Sequence, residues 1–133
     1  SMEEKSIAQE ITAKLQKKYG RVIEIGRLTD ELTEALSRND KQSVNMVLSM
    51  RGEEMDAVDT LDLEIGKFVA ALPPNQRDAV NNADGGADVP DDIKKVISLK
   101  SMIHNQLGKI IEKDSRISRK IAGGSSFYSK AGK

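Results

Sequence analysis

"LSRNDKQSVNMVLSMRGEEMDAV", residues 36–58, joins two long heptad patterns through a short polar break. Ser37-Arg38-Asn39-Asp40 contains no apolar residue, and Asp40 stands where an N-cap would accept the free amides of the next helix. A connection this short makes the helices on either side antiparallel neighbours. Upstream, Ile11, Leu15, Lys18, Val22, Ile25, Thr29, Leu32 and Leu36 alternate steps of four and three, which winds one seam along a long helix. Downstream the device repeats in Val44, Leu48, Arg51, Met55, Val58, Asp62, Ile65, Val69 and Leu72, until Pro73-Pro74 removes two amide donors.

A third pattern follows through Ile93, Val96 or Ile97, Lys100, Ile103, Leu107, Ile110, Asp114, Ile117 and Ile121, and Gly123-Gly124 ends it. The sequence therefore predicts an all-α fold. Its expected form is an elongated antiparallel helical hairpin plus a third long helix, a coiled-coil-like three-helix bundle in a single domain over residues 1–133. The expected spans are 3–38, 40–72 and 91–122, with an acidic Pro/Asp/Gly-rich loop at 73–90 and a flexible C-terminal tail at 123–133. The loop has room for one helical turn around residues 75–82. Fully extended it would reach roughly 60 Å, longer than a helix, so the direction of the third helix is left open. Lys18, Arg51, Asp62, Lys100 and Asp114 are polar members of apolar seams, where paired charges specify register at some cost in stability. Gly20, Gly26, Gly52, Gly66 and Gly108 interrupt helical patterns at about 1 kcal/mol each relative to Ala, which close helix approach or a kink would explain. A break of the first helix near Gly20 is the alternative to one continuous helix.

Composition limits the chemistry. With aromatics at 3% of 133 residues, the core must be aliphatic. The chain has no Cys and one His, which excludes disulfides and an ordinary zinc site, so no metal or other cofactor is expected. No apolar run approaches the roughly 18 residues of a membrane span and nothing resembles a signal peptide, so the expectation is a cytoplasmic protein without an integral membrane segment. The net charge of zero hides an asymmetry: residues 40–72 hold seven acids and three bases, whereas residues 93–133 hold two acids and ten bases. This predicts that the basic third helix packs beside the acidic second one. A nucleic-acid partner is not expected, because single-strand stacking wants aromatics and Phe127 and Tyr128 stand alone in the tail.

Carboxylate pairs such as Glu53-Glu54 and Asp91-Asp92 lie on exposed helix faces that neither shift a pKa nor exclude water, so no catalytic residue is assigned and the chain is not read as an enzyme. No phosphate loop is present, and "GGSS" at 123–126 reads as a linker. His104 has a sharper alternative. In "HNQLGK" a Gly follows four residues after the His on a helix, as in histidine phosphotransfer domains, but position 107 is Leu where those domains carry Lys. A structural coiled-coil assembly protein is the third reading. Beside its seam the second helix also carries Met46, Val47 and Met50, an apolar arc wider than two-helix packing requires. That surplus serves either a second packing face for the third helix or a groove for a partner helix, which flexible Met side chains suit.

The long first helix, the turn "LSRND", the following "KQSVNMVLSMRGEEMDAVDTLD", the late "IIEKDSRISRKI" and the tail "FYSKAGK" together resemble flagellar type III export chaperones of the FlgN/FliT type. The resemblance covers most of residues 28–133, and the Asp- and Pro-rich segment 73–92 departs from it. It implies a chaperone that binds the C-terminal helical segments of hook-associated filament-junction or filament-cap proteins, prevents premature assembly and delivers them to a membrane export-gate component. A homodimer is also allowed. Carried onto this chain, it makes Ile103, Leu107, Ile110, Ile117 and Ile121 the cargo-helix face and Tyr128 the gate contact, beside the partner-binding candidates Met46 and Met50.

Overall fold

Polar caps set the starts of the first two long helices in the computed structural model, which describes residues 5–86 and 88–123. Ser6 Oγ accepts from the Gln9 amide at 3.1 Å and the Gln9 side chain accepts from the Ser6 amide at 2.9 Å, a reciprocal cap that starts α1 (Ile7–Ser37). Asp40 caps α2 (Lys41–Ala70): its carboxylate accepts from the Ser43 amide at 3.1 Å and from the Ser43 hydroxyl at 2.6 Å. These two bonds, the hydroxyl first, hold the Asp40 carboxyl below the usual carboxylate range. Between the helices Asn39 takes φ 54°, a left-handed conformation that Asn tolerates and that lets the chain reverse within the polar break.

The described residues form four helices and no strand, so the fold is all-α. The segment read as loop holds a helix. Pro74 at its first position supplies a preset φ without losing a needed donor, and α3 (Pro74–Asn82) runs to Ala83, whose left-handed φ of 53° ends it. After it comes α4 (Asp91–Gly123). The helix α1 is continuous through Gly20, and a Cβ added there meets nothing within 4 Å. Close helix approach therefore does not account for Gly20. At Gly26 an added Cβ lies 3.7 Å from Ile110, ordinary van der Waals contact.

Cross-helix pairs give the directions. Lys14–Glu64 at 2.8 Å, Lys18–Asp62 at 2.6 Å and the Arg51–Thr29 hydrogen bond at 3.2 Å run in opposite sequence order, so α1 and α2 are antiparallel. Gly26 beside Ile110 and Asp30–Lys113 at 2.8 Å ascend together, so α4 runs parallel to α1 and antiparallel to α2. The direction that the long connection left open is thereby assigned. Both α2 and α4 pack on α1, yet no Cα of α2 comes within 8 Å of one in α4.

Burial follows this arrangement. Ile11, Val22, Leu28, Ile93, Val80 and Val96 are fully enclosed, and among the described residues no aromatic side chain is buried. The larger apolar cluster joins all four helices, and a smaller one joins Leu28, Leu32, Ala35, Val44 and Val47 near the hairpin turn. The predicted pairing of acidic second helix with basic third is not how the charges are used. Acids of α2 pair instead with bases of α1, in Lys14–Glu64, Lys18–Asp62 and Arg21–Glu54, because α1 and α2 are the helices in close contact. Replacing Gly20 with Ala is expected to raise stability by about 1 kcal/mol, since the added methyl meets open space and the helix loses a flexible residue. Urea denaturation of the two proteins measures this directly, and an unchanged or lower midpoint would contradict it.

Candidate functional site

Each flanking helix has two heptad rows, and α1 buries only one of them. On α2, Val44, Val58 and Ile65 are buried, whereas Leu48, Met55 and Asp62 are exposed. On α4, Ile103 and Ile110 are buried, whereas Lys100, Leu107 and Asp114 are half-buried. The second rows border a seam between α2 and α4. Its upper bridge is Arg51, which donates two hydrogen bonds to Asp114 at 2.8 and 3.0 Å. Arg51 also donates to the Thr29 hydroxyl at 3.2 Å, and that fully buried hydroxyl donates to the Ile25 carbonyl at 2.7 Å. One planar guanidinium thus ties all three long helices together, a task that suits its rigid fork of donors.

The lower end of the seam is closed. Val80 of α3, 1% exposed, packs in one cluster with Val69 of α2 and Ile93 of α4. Just above it Lys18 pairs with Asp62, and Lys100 Nζ donates to the Val80 carbonyl at 3.4 Å. Among the described residues no carboxylate lies within ion-pair distance of Lys100. Burial first, then the Lys18 ammonium, push its pKa below the ordinary lysine value, and Asp62 offsets only part of this.

Between these two polar bridges the seam is apolar and open. Leu48 and Met55 stand three residues before and four after Arg51, so they share its face of α2. Leu107 and Ile111 stand seven and three residues before Asp114 and share its face of α4. Leu48 is 43% exposed, Met55 37% and Ile111 64%, while Leu107 is half-buried against the core. The distance along α4 from Lys100 to Asp114 is about 21 Å at the helical rise, enough for four turns of a partner helix. Exposed Asp59 sits on the α2 lip and exposed His104 on the α4 lip.

A second surface lies on the other flank of the hairpin. Met46, at 56% exposure, and Met50, at 40%, line a depression of about 230 Å³ with Val47, Ala35, Glu31 and Glu34. The apolar surplus of α2 therefore divides: Val47 is core beneath the hairpin turn, and the two Met residues face outward.

The α4 face named by the resemblance requires correction as an open surface. Ile103 and Ile110 are 3% and 6% exposed because α4 lies along α1 and uses that row to cover it. Leu107 reaches the seam, Ile117 packs against the smaller cluster and Ile121 is half-buried in the last turns of α4. Tyr128 lies outside the described residues. Leu48, Met55 and Ile111 were absent from the predicted site, although the doubled Ile110-Ile111 signals apolar surface beyond one seam. His104 is exposed with no hydrogen bond or ion pair among the described residues, so nothing orients its ring. Among those residues no group of three or more His, Cys, Asp or Glu is placed to hold a metal ion, and no helix is long and apolar enough to cross a membrane. No protein-family model, curated protein or solved structure matches the chain.

Removing Asp114 leaves the Arg51 guanidinium, whose side chain is only 14% exposed, without its carboxylate. Asp114→Ala is expected to lower stability by about 2 kcal/mol, and adding Arg51→Met should recover most of the loss, as read from urea midpoints. Lys100 gives the opposite sign. Because the fold lowers its pKa, the charged form is penalised at neutral pH and the penalty fades as pH rises towards the ordinary lysine value of 10.5. Lys100→Met should therefore be more stable than wild type at pH 7, with the difference narrowing on the alkaline side. A less stable Met variant at pH 7 would refute the assignment.

Proposed function

We propose that the chain is a non-enzymatic cytoplasmic chaperone of the flagellar export type, which captures amphipathic helical segments on the upper α2–α4 seam. In this reading the three long helices act as a three-helix bundle and α3 plugs its lower end. One observation carries the proposal: Leu48, Met55 and Ile111 are large, apolar and exposed on one seam whose two lips belong to different helices. An arrangement of this kind suits helix-in-groove recognition, in which an apolar stripe at helical spacing docks between two parallel rims. Met55 adds a side chain that adapts to partners of different shape.

The expected cargo is the C-terminal helical segment of a hook-associated filament-junction protein or of the filament cap. Such a segment polymerises through its own apolar stripe, and covering that stripe keeps it monomeric without any chemistry. Burying roughly 1,000 Å² in the seam is sufficient for micromolar binding, about −8 kcal/mol. Delivery to an export-gate component follows from the same resemblance and uses the region around Tyr128. The capture surface is Leu48, Met55, Leu107 and Ile111 rather than Ile103 and Ile110, which are core residues whose substitution would unfold the helix contact.

Isothermal titration with the isolated C-terminal helical segments of the junction and cap proteins tests this reading. Wild type should bind at least one of them at micromolar concentration, and Met55→Asp with Ile111→Asp should weaken it by about a hundredfold while the circular dichroism stays unchanged. Equal affinity in the folded double variant would exclude the seam as the capture surface.

A further inference from the structure

Much of the positive charge of α4 finds no partner in the fold. Residues 101–123 carry Lys109, Lys113, Arg116, Arg119 and Lys120 against Glu112 and Asp114. Asp114 is held by Arg51 on the seam side, and Lys113 by Asp30 of α1 at 2.8 Å. Arg116 meets Glu112 only in an exposed pair four residues apart, which is weak in water. Lys109, Arg119 and Lys120 are exposed and make no ion pair among the described residues. The neighbouring acids of α1 are already matched, Glu24 and Glu31 by Arg27 and Glu34 by Arg38.

Helical spacing gathers these bases into a stripe. Met102, Lys109 and Arg116 follow at seven-residue steps and Lys120 stands four after Arg116, so all four share one face, about 27 Å long at the helical rise. Lys113, four after Lys109, sets the stripe on the flank of α4 beside α1. Ile111 lies two residues, about 200° round the helix, from Lys109, so the seam opens on the other side. Exposed acids such as Glu53 and Asp56 are on α2, no Cα of which comes within 8 Å of one in α4. A chain of zero formal net charge thus carries its positive charge on one side. Bases along one straight helix meet a flat array of anions together. A polynucleotide surface instead wants aromatic stacking partners, and the described aromatics Tyr19 and Phe68 are half-buried against the core. Met102, 46% exposed at the head of the stripe, adds an apolar side chain of the kind that enters a headgroup–acyl boundary.

We propose that this face of α4 docks on an anionic phospholipid bilayer, with Lys109, Arg116, Arg119 and Lys120 at the headgroups and the exposed acids of α2 turned away. Clusters of four or more Lys and Arg on one helix face bind such surfaces, each base adding to the attraction. The stripe and the capture seam are on different sides of α4, so the proposal does not depend on the capture reading, and a docked chain keeps its seam accessible.

Flotation with phosphatidylcholine vesicles, with and without about 30% phosphatidylglycerol, tests it. Wild type is expected to float with the anionic vesicles only and to be released between about 50 mM and about 500 mM salt. Lys109→Glu, Arg116→Glu and Lys120→Glu together should weaken partitioning by about a hundredfold or more with the circular dichroism unchanged. Should that set fail to fold, the corresponding Gln substitutions should weaken it by about tenfold. Lys5→Glu, Lys17→Glu and Lys67→Glu change the net charge equally on other faces and should keep most of the binding. A wild type that does not float with anionic vesicles overturns the proposal, as does an equal loss in the control set. Single-stranded RNA or polyglutamate bound at least as tightly as the vesicles, at equal charge concentration, overturns it in favour of a soluble polyanion. Flotation needs no cargo, so a chain that floats but binds no cargo segment sinks capture alone, and one that binds cargo but does not float sinks only the lipid surface.

Discussion

The structure depends on α1 being enclosed from two sides by helices that do not close on each other. The buried core is aliphatic, with the rings of Tyr19 and Phe68 packed only against its edge, and each flanking helix commits one heptad row to α1. That row is Val44, Val58 and Ile65 on α2 and Ile103 and Ile110 on α4. The other row on each helix is left to find a partner elsewhere. At the lower end α3 supplies it, because Val80 packs with Val69 and Ile93. Above Lys100 nothing in the described chain does.

Polar residues at core-like positions mark this seam. Asp62, Lys100 and Asp114 interrupt the open rows of α2 and α4, Arg51 stands in the α2 row that faces α1, and Lys18 and Thr29 answer them from α1. Their bridges fix height and direction: Arg51 cannot reach Thr29 and Asp114 together if either flanking helix slips by a turn of about 5.4 Å. The ladder between α1 and α2 is partly exposed and weak pair by pair, and its effect is on register more than on stability. Half-buried Arg51 is different in kind, because its loss or that of Asp114 strands a charge near the core.

Heptad spacing made the three long helices legible, and Asp40 before an apolar run made the hairpin turn legible, since both rest on local geometry. The direction of α4 was not, because a connection of about 20 residues reaches either end of the bundle and only tertiary contacts such as Asp30–Lys113 choose between them. The short helix α3 was underestimated: Pro74 and a run of Asn and Asp read as turn chemistry, while Ala79 and Val80, which bury it, are too few to give a period. For the site, periodicity identified which residues lie on apolar rows but not which row α1 would take. Ile103 and Leu107 are indistinguishable in sequence, yet one is core and the other reaches the seam. Charge totals misled for a related reason, since a sum over a helix says nothing about which neighbour lies within reach.

Two features of the upper seam are unfavourable in an isolated molecule and become favourable together. Leu48, Met55 and Ile111 present apolar surface to water on a short strip, where covering it gains about 25 cal/mol per Å². Lys100 is an ammonium partly withdrawn from solvent and repelled by Lys18, which Asp62 offsets in part, and it donates to a carbonyl at 3.4 Å. A seam under selection for stability alone would replace Lys100 with an apolar residue and the lips with polar ones. Retaining the reverse pattern is consistent with an occupant that brings an apolar stripe and a carboxylate in the same helix. Asp59 on the opposite lip then decides how that helix lies, because reversing its direction exchanges its two flanks. In the proposed capture reading, a partner whose acidic and basic sides are fixed enters in one direction only, so the polar rim of the seam sets orientation while its apolar floor sets affinity.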